Sequence, residues 1–184
     1  MCRRPRVRHG PRRTGRLADV TEIVALTPDD WATWRRLRLA ALSDAPHAFG
    51  AQLTDWTGGG DLEERWRSRL GIPGSHNVVV LLDDRGVGMA SGVPTSDVGV
   101  VELISMWVAP DARGRGVGDA LVREIERWSL AAGARVVRLS VAEGNGPAAA
   151  LYERHGFRYT GEWNEMPGGS RRERVMEKEV APPR

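Results

Sequence analysis

The chain has 184 residues, of which 41% are hydrophobic and 28% charged, a composition typical of one globular domain with its own core. Its single cysteine, Cys2, excludes an internal disulfide, and no apolar run approaches the roughly 20 residues that span a bilayer. The N-terminus is arginine-rich and polar and does not resemble a secretory signal, so we expect a cytoplasmic protein with no membrane partner.

The net charge of +3 is unevenly distributed along the chain. Residues 1–16 hold seven of the 27 basic residues and no acidic residue, which leaves 20 basic against 24 acidic residues in the remainder. Such an arm could contact nucleic acid through its charge, but a leader with prolines and glycines is typical of a disordered segment. We expect a disordered arm over residues 1–19, a single domain over residues 20–184, and no nucleic-acid partner.

The first half of the chain alternates strand and helix signals. Thr27, followed by Pro28 and by Asp30 three residues after it, indicates a helix start with a capping box. The elements predicted here are a strand over 21–26, a helix from Thr27 to Leu42 with Trp31 and Trp34 in the core, a long flexible connection over 43–60, a helix capped by Asp61 that ends at Leu70, and a hairpin of strands over 77–82 and 87–93. His47 and His76 have no partner at metal-ligand spacing, so no metal is expected.

The second half continues the alternation. The elements predicted here are a strand over 99–108, a helix that ends at Gly133, a strand over 135–141, a short helix from Pro147 to His155, a strand ending near Trp163, and a last strand over 173–180. This order of elements predicts a mixed α/β sheet.

The stretch Met106–Val122 carries the strongest functional signal. An apolar strand is followed by a polar turn with Gly114, Gly116 and Gly118, and then by an amphipathic helix. A helix N-terminus offers free N–H groups to an anion, and glycines let phosphate oxygens approach the backbone. The sequence therefore predicts a pyrophosphate cradle. A P-loop would need a Gly-Lys-Ser/Thr sequence, and the dinucleotide fingerprint would need a glycine where Asp119 stands.

Two motifs in this region resemble those of the GCN5-related N-acetyltransferase (GNAT) family. The first is Arg113-x-x-Gly116-x-Gly118, and the second is Asn145-x-x-Ala148-x-x-Leu151-Tyr152-x-x-x-Gly156-Phe157. The resemblance extends over about Ile23 to Val180 and is strongest from Glu102 to Thr160. It implies an α/β (mixed α+β) fold with a twisted, mainly antiparallel sheet, flanked by helices and splayed between the fourth and fifth strands. It also implies acetyl-CoA as co-substrate and no metal.

The resemblance assigns roles to the matching residues. The backbone of Met106 and Val108 would bind the pantetheine arm, and Tyr152 would lie beside the sulfur and protonate the departing thiolate. The implied coenzyme-binding residues are Met106, Trp107, Val108, Arg113, Gly114, Arg115, Gly116, Val117, Gly118, Asp119, Asn145, Ala148 and Tyr152. Asp119 departs from the family pattern, and we expect its side chain to face the free N–H groups of its own helix turn.

Glu102 is the candidate general base. It stands eleven residues before Arg113, which resembles the position of a base glutamate in protein-acetylating branches of the family. A glutamate on a solvated sheet face is the alternative interpretation, and Glu143 or Glu162 could take its place. Ser140 stands where the branch that acetylates ribosomal-protein N-termini has its base, which argues against that branch.

The expected acceptor is a primary amine of a small molecule, which would enter between the connection over 43–60 and the hairpin near Pro94. The side chains expected to face it are the aromatic Phe49 and Trp56 and the carboxylates Asp44, Asp55 and Glu102. A protein N-terminus or lysine is the alternative acceptor. A non-catalytic coenzyme A sensor or a nucleic-acid-associated module is an alternative of another class. A homodimer is compatible with the sequence.

Overall fold

A computed structural model of the protein describes residues 22–167 and 171–180. The strands in these ranges are β1 (Glu22–Leu26), β2 (His76–Leu82), β3 (Arg85–Pro94), β4 (Val100–Val108), β5 (Val136–Ala142), β6 (Arg158–Glu165) and β7 (Arg172–Glu179). The α-helices are α1 (Trp31–Asp44), α2 (Glu63–Leu70), α3 (Val117–Ala131) and α4 (Gly146–Arg154). The predicted arm over residues 1–19 lies outside the described residues. None of the described helices is both long and apolar enough to cross a membrane.

The strands form one sheet in the order β1-β2-β3-β4-β5-β7-β6, and all neighbours are antiparallel except β4 and β5. The parallel pairing of β4 with β5 covers only Val100–Glu102 against Val136–Arg138. Beyond Glu102 the two strands part, so the rest of β4 pairs with β3 on one side and borders an opening on the other. The predicted fold, a mainly antiparallel sheet flanked by helices and splayed between its fourth and fifth strands, is confirmed.

A β-bulge bends β4 where it leaves β5. The register passes from the pair Ser91 and Ile104 to the pair Met89 and Trp107, so one residue of β3 faces two residues of β4. Ser105, within the bulge, has a φ of 55°, which is uncommon for a residue with a Cβ. An extra residue bends a strand and increases its twist. The bulge therefore contributes to the opening beside β4.

Helix α3 packs closely on the sheet because two glycines of β3 leave room for it. A Cβ at Gly88 would lie 2.7 Å from Val117 Cγ1, and a Cβ at Gly92 would lie 2.7 Å from the ring of Trp128. Glycine within a strand often marks such a close approach. These contacts place the start of α3 directly behind the end of β4.

The connection between α1 and α2 is more regular than the sequence predicts. It contains three short 3-10 helices, at Pro46–Ala48, Leu53–Trp56 and Gly58–Gly60. The Asp55 carboxylate accepts a hydrogen bond from the backbone N–H of Gln52 at 2.8 Å, so this side chain caps a turn.

Helices α1 and α2 each bury a tryptophan in the core and are linked by Asp61. Trp34 and Trp66 are fully buried, which confirms Trp34 as a core residue. The predicted capping of α2 by Asp61 is wrong, because Leu62 is the N-cap residue. The Asp61 carboxylate instead accepts hydrogen bonds from Arg35 Nε at 2.6 Å and from Trp66 Nε1 at 2.9 Å. The carboxylate therefore links α1 to α2 instead of capping α2.

We expect this link to make the stability of the fold depend on acid pH. The hydrogen bonds from Arg35, and then from Trp66, lower the pKa of Asp61 to about 2. A depressed pKa stabilises the fold above the unfolded-state pKa near ~3.9, and this stabilisation is lost as pH falls through about 2. Asp61→Asn should therefore have a lower Tm than wild type at pH 7, and the difference should shrink below pH ~4.

The matched control is Asp84→Asn, which changes an exposed carboxylate in the turn between β2 and β3. Thermal unfolding at a series of pH values measures the Tm of both variants and of wild type. A constant Tm difference between Asp61→Asn and wild type from pH 7 down to pH ~2 would show that the carboxylate charge has no part in the link.

Candidate active site

The glycine-rich turn after β4 forms the start of α3. Gly114 and Gly116 have φ values of 74° and 83°, in the left-handed region, and Gly116 is the N-cap residue of α3. Within the described part of the chain, no atom lies within 4 Å of a Cβ built at either glycine, so the turn faces open space. The first N–H groups of a helix have no partner inside it and carry the positive end of its dipole. The turn over residues 113–119 can therefore receive an anionic group.

A cavity of about 430 Å³ lies between the end of β4 and α4, and we name it the β4–α4 cavity. Its lining includes seven of the residues predicted to bind the coenzyme: Met106, Trp107, Val108, Arg113, Asn145, Ala148 and Tyr152. The other six, residues 114–119, lie in the glycine turn and the first turn of α3. Gly118 packs against the cavity wall, because a Cβ there would lie 3.1 Å from Leu151 Cδ2. The structure thus brings both sequence motifs to one place.

The backbone N–H of Val108 points into the opening beside β4. The N–H of Ala109 donates to the carbonyl of Val87 at 2.8 Å, so Ala109 belongs to the β3–β4 ladder. Because hydrogen-bonding direction alternates along a strand, the N–H of Val108 points away from β3. The carbonyl oxygen of Val108 accepts a hydrogen bond from Arg113 Nε at 3.1 Å. Val108 therefore presents a backbone donor at the edge of the cavity.

Asp44 lines the β4–α4 cavity and is already paired there. Its Oδ2 accepts a hydrogen bond from Trp107 Nε1 at 2.9 Å and forms an ion pair with the guanidinium of Arg113. These contacts tie the end of α1 to the end of β4. The charge of Asp44 is therefore matched by Arg113, and its attraction of an acceptor amine stays a prediction.

Tyr152 stands between β4 and α4. Its ring packs edge-on against Phe157 with 5.8 Å between the ring centroids, and its hydroxyl donates to Met106 Sδ at 3.5 Å. Burial raises the pKa of the Tyr152 phenol above its usual value, so the hydroxyl keeps its proton at neutral pH. A protonated, buried hydroxyl can donate to a neighbouring sulfur atom.

The prediction for the side chain of Asp119 is wrong. It does not face its own helix turn: Asp119 Oδ1 lies 3.0 Å from His155 Nε2 and 3.4 Å from Arg154 Nη2. Burial tends to raise the pKa of Asp119, but the hydrogen bond from His155 and the charge of Arg154 lower it overall. The reason for the error is tertiary, since the end of α4 brings two donors against the start of α3. Asp119 therefore joins these helices, and its charge is partly matched beside the turn.

A second cavity, of about 300 Å³, opens where β4 and β5 part, and we name it the β4–β5 cavity. Its lining includes Glu102 and Ser140, so Glu102 does not lie on a fully solvated sheet face. The two cavities have six lining residues in common: Ala48, Phe49, Met106, Asn145, Ala148 and Tyr152. They therefore meet around Met106 and Tyr152.

Glu173 is a candidate functional residue that the sequence analysis missed. It lies at the start of β7 and lines the β4–β5 cavity together with Glu102. Burial, and then the negative charge of Glu102, raise the pKa of Glu173 above its usual range. A carboxyl group with a raised pKa near a cavity is a typical proton acceptor for catalysis. No local motif marks Glu173, because its proximity to Glu102 depends on the pairing of β5 with β7.

Two arginines of this cavity, Arg38 of α1 and Arg69 of α2, were also missed. Helical periodicity places them among the polar residues that normally face solvent. Both residues are partly buried, and this burial lowers the pKa of each to about 10.

Other residues suggested by the sequence lie outside both cavities. Trp56 packs on Trp66 with 4.4 Å between ring centroids, so it belongs to the packing of α2. Glu143 and Glu162 are exposed, and Pro94 pairs with Val101 at the far end of the hairpin. Of the two aromatic side chains expected at the acceptor, only Phe49 lines the cavities.

No cluster of three metal-ligating side chains occurs in residues 22–167 and 171–180. His76 Nε2 lies 2.9 Å from Glu124 Oε1, and its ring stacks on Trp128 with 5.1 Å between centroids. His76 therefore has a structural role between β2 and α3.

The chain is similar to known acetyltransferases. A family model described as the acetyltransferase (GNAT) family matches residues 32–157, more than half of the chain. An aminoglycoside N(6')-acetyltransferase type 1 from Stenotrophomonas maltophilia is 28% identical over 153 residues, which cover 78% of this chain and 90% of that protein. Three further curated relatives match over only 55 to 58 residues, so the chain covers 13% to 26% of their length.

Solved structures share the fold. Spermidine N-acetyltransferase from Vibrio cholerae, in complex with CoA and spermine, has a TM-score of 0.71 at 19% identity, covering 87% of this chain and 95% of that chain. A GCN5-related N-acetyltransferase from Kribbella flavida has a TM-score of 0.68 at 25% identity, covering 86% of this chain and 97% of that chain.

Proposed function

This chain belongs to the acetyltransferase (GNAT) family, and on that premise we propose that it transfers an acetyl group from acetyl-CoA to the primary amine of a small molecule while both substrates are bound. The observation that carries the proposal is the meeting of the β4–α4 and β4–β5 cavities at Met106 and Tyr152. One cavity lies beside the glycine turn, and the other contains the two carboxylates. A thioester at the junction would meet an amine that arrives from the opposite side.

The β4–α4 side fits coenzyme A. Backbone N–H groups of residues 113–119 would donate to its pyrophosphate, because the glycines leave open space at the start of α3. The open edge of β4 at Met106 and Val108 would pair with the pantetheine arm as an added strand pairs with a sheet edge. Asn145 would contact the same arm from α4. Acetyl-CoA, when bound, supplies an activated acetyl group and a thiolate leaving group.

The side chains of the junction would move two protons. An alkylammonium group has a pKa near ~10.4 and must lose a proton before its nitrogen can attack. The pair Glu102 and Glu173 would accept this proton, directly or through water. As the C–N bond forms and the C–S bond breaks, Tyr152 would donate its proton to the departing sulfur. The nitrogen would release its second proton through water to the Tyr152 oxygen, so that the amide product, the thiol and the phenol all end neutral. The N–H of Val108 would stabilise the negative charge that develops on the carbonyl oxygen.

A small acceptor is favoured by the size of the site and by the relatives. The β4–β5 cavity has about 300 Å³, at the lower end of the range for small-molecule sites. The relatives named for an aminoglycoside and for spermidine act on amines of small molecules. Both points support a small amine over a protein acceptor.

Gly116→Val tests the coenzyme side of the proposal. We expect the acetyl-CoA dissociation constant to rise about tenfold to a hundredfold, because the new side chain would occupy space needed by the pyrophosphate at the N–H groups. Isothermal titration calorimetry with acetyl-CoA measures the change. Circular dichroism establishes that the variant is folded.

The matched control is Gly133→Val at the other end of α3. Gly133 has a φ of 82° against 83° for Gly116, and neither has a described atom within 4 Å of its Cβ position. Both substitutions therefore place a valine in the left-handed region with open space around it, and only Gly116 lies at the site. Equal affinities of the two variants for acetyl-CoA would contradict the proposed pyrophosphate position.

A further inference from the structure

Arg38 presents a charge to the β4–β5 cavity that the proposed transfer does not use. Its guanidinium lies 4.5 Å from the ring centroid of Phe49. Its Nη1 is buried and has no hydrogen-bond partner among the described residues. A charged donor that is buried without a partner is costly, because it has lost its hydration. Arg38 is also a lining residue of the β4–β5 cavity, so its guanidinium is a candidate donor to a ligand bound there.

Arg69 lines the same cavity as Arg38 and is held by neutral groups. Its Nη1 donates to Asn77 Oδ1 at 3.2 Å, and its Nη2 lies 3.1 Å from Ser91 Oγ and 3.3 Å from Ser105 Oγ. Neither arginine forms an ion pair with any carboxylate that the structure describes. Burial lowers the pKa of both to about 10, and the charge of Arg69 contributes at Arg38, yet both stay charged at neutral pH. Two positive charges thus line one cavity without a counterion among the described residues.

The location of these arginines identifies the molecule that could supply the counterion. Arg38 and Arg69 line the β4–β5 cavity and not the β4–α4 cavity, where we place the coenzyme. An anionic group bound to them would therefore belong to the acceptor. The same cavity contains Glu102 and Glu173, so it has both a positively and a negatively charged part.

We propose that the acceptor carries an anionic group in addition to its amine, that Arg38 and Arg69 bind this group, and that Glu102 and Glu173 receive the amine. This inference rests on the proposed function, because it assigns the β4–β5 cavity to the acceptor. The guanidinium fork fits a carboxylate or a phosphate with two hydrogen bonds. An amino acid and a phosphorylated amine both have this pattern. A purely cationic amine would leave both arginines without a counterion.

The experiment compares matched acceptors by the initial rate of free-thiol release from acetyl-CoA. One set is ethanolamine, serine and O-phosphoethanolamine, which share a two-carbon amine and differ in the anionic group. Two pairs, 2-phenylethylamine with phenylalanine and cadaverine with lysine, extend the comparison. We expect at least one set in which the anionic member has a kcat/KM at least about tenfold higher. The first set distinguishes a carboxylate from a phosphate.

Variants of α1 test which residue causes this preference. Arg38→Met should reduce the preference for the anionic acceptor to within about twofold, because the methionine keeps the apolar stem and removes the donors. Arg38→Lys keeps the charge without the fork and should keep part of the preference. The control, Arg36→Met, removes an exposed arginine of the same helix and should keep the full preference for the anionic acceptor. Arg38→Met should also keep acetyl-CoA affinity and have a Tm no lower than wild type, since it removes an uncompensated buried charge.

Three results would overturn the inference: equal or faster reaction of the plain amines, a preference that survives in Arg38→Met, or no binding and no reaction of any anionic member. Calorimetry with the same compounds separates this inference from the proposed function. Binding of an anionic member that requires Arg38, without any acetyl transfer, would support the inference and contradict the proposed function. Acetylation of the plain amines alone would support the proposed function and contradict this inference.

Discussion

Tyr152→Phe is expected to lower kcat about a hundredfold to ten-thousandfold and to leave acetyl-CoA affinity within about twofold of wild type. The Tyr152 hydroxyl donates to Met106 Sδ at 3.5 Å, at the junction of the two cavities where we place the thioester sulfur. Burial raises the pKa of the phenol, so the proton is present over the whole neutral range. The phenylalanine keeps the ring packed against Phe157 and removes only the proton donor.

Tyr159→Phe is the matched control, because Tyr159 is the second tyrosine of the chain and lies on β6 beneath the guanidinium of Arg174. Free-thiol release measures kcat for both variants, and calorimetry measures their affinity for acetyl-CoA. If both variants kept wild-type turnover on a working acceptor, Tyr152 would be a packing residue and the departing thiolate would need another donor.

Glu102→Gln is expected to lower kcat/KM about a hundredfold or more and to move the acid limb of its pH profile to lower pH. The acid limb of the profile reports the loss of a carboxyl proton, which leaves a carboxylate that can accept a proton from the amine. The pKa of Glu173 is raised by burial and by the negative charge of Glu102. Removing that charge lowers the pKa of Glu173, so the remaining carboxylate ionises at a lower pH.

The pH profiles of kcat/KM for wild type, Glu102→Gln, Glu173→Gln and Glu143→Gln test this role. Glu143 is exposed after β5, so its variant should keep the wild-type profile. A Glu102→Gln profile with the same acid limb and full activity would exclude Glu102 from proton transfer. A large loss in Glu143→Gln alone would identify Glu143 as the base.

The parts of the fold and site that the sequence predicts well are those with local causes. Gly116 ends a turn in the left-handed region, and Asn145 accepts a hydrogen bond from the backbone N–H of Ala148 at the start of α4. Such features depend on a few neighbouring residues, so their motifs are visible in the chain. The splay between β4 and β5 follows from the family that these motifs indicate.

The parts that escape the sequence depend on contacts between distant segments. Arg38 and Arg69 occur at polar positions of helices, and only the tertiary packing of α1 and α2 places them at the β4–β5 cavity. Glu173 reaches the site through the pairing of β7 with β5, and Asp119 finds its partners on α4. Periodicity predicts which face of a helix is polar, but it does not predict which polar side chains a third element will cover.

Transfer of an isotopically labelled acetyl group tests the central claim most directly. The full chain is incubated with acetyl-CoA labelled in the acetyl carbon and with the acceptors of the matched sets, and free thiol and labelled product are measured together. We expect equal amounts of thiol and of acceptor acetylated at its amine nitrogen. The initial rate should depend on both substrates and be reduced in Tyr152→Phe and Gly116→Val. Thiol release without label on any amine, or labelling that is unchanged in both variants, would contradict it.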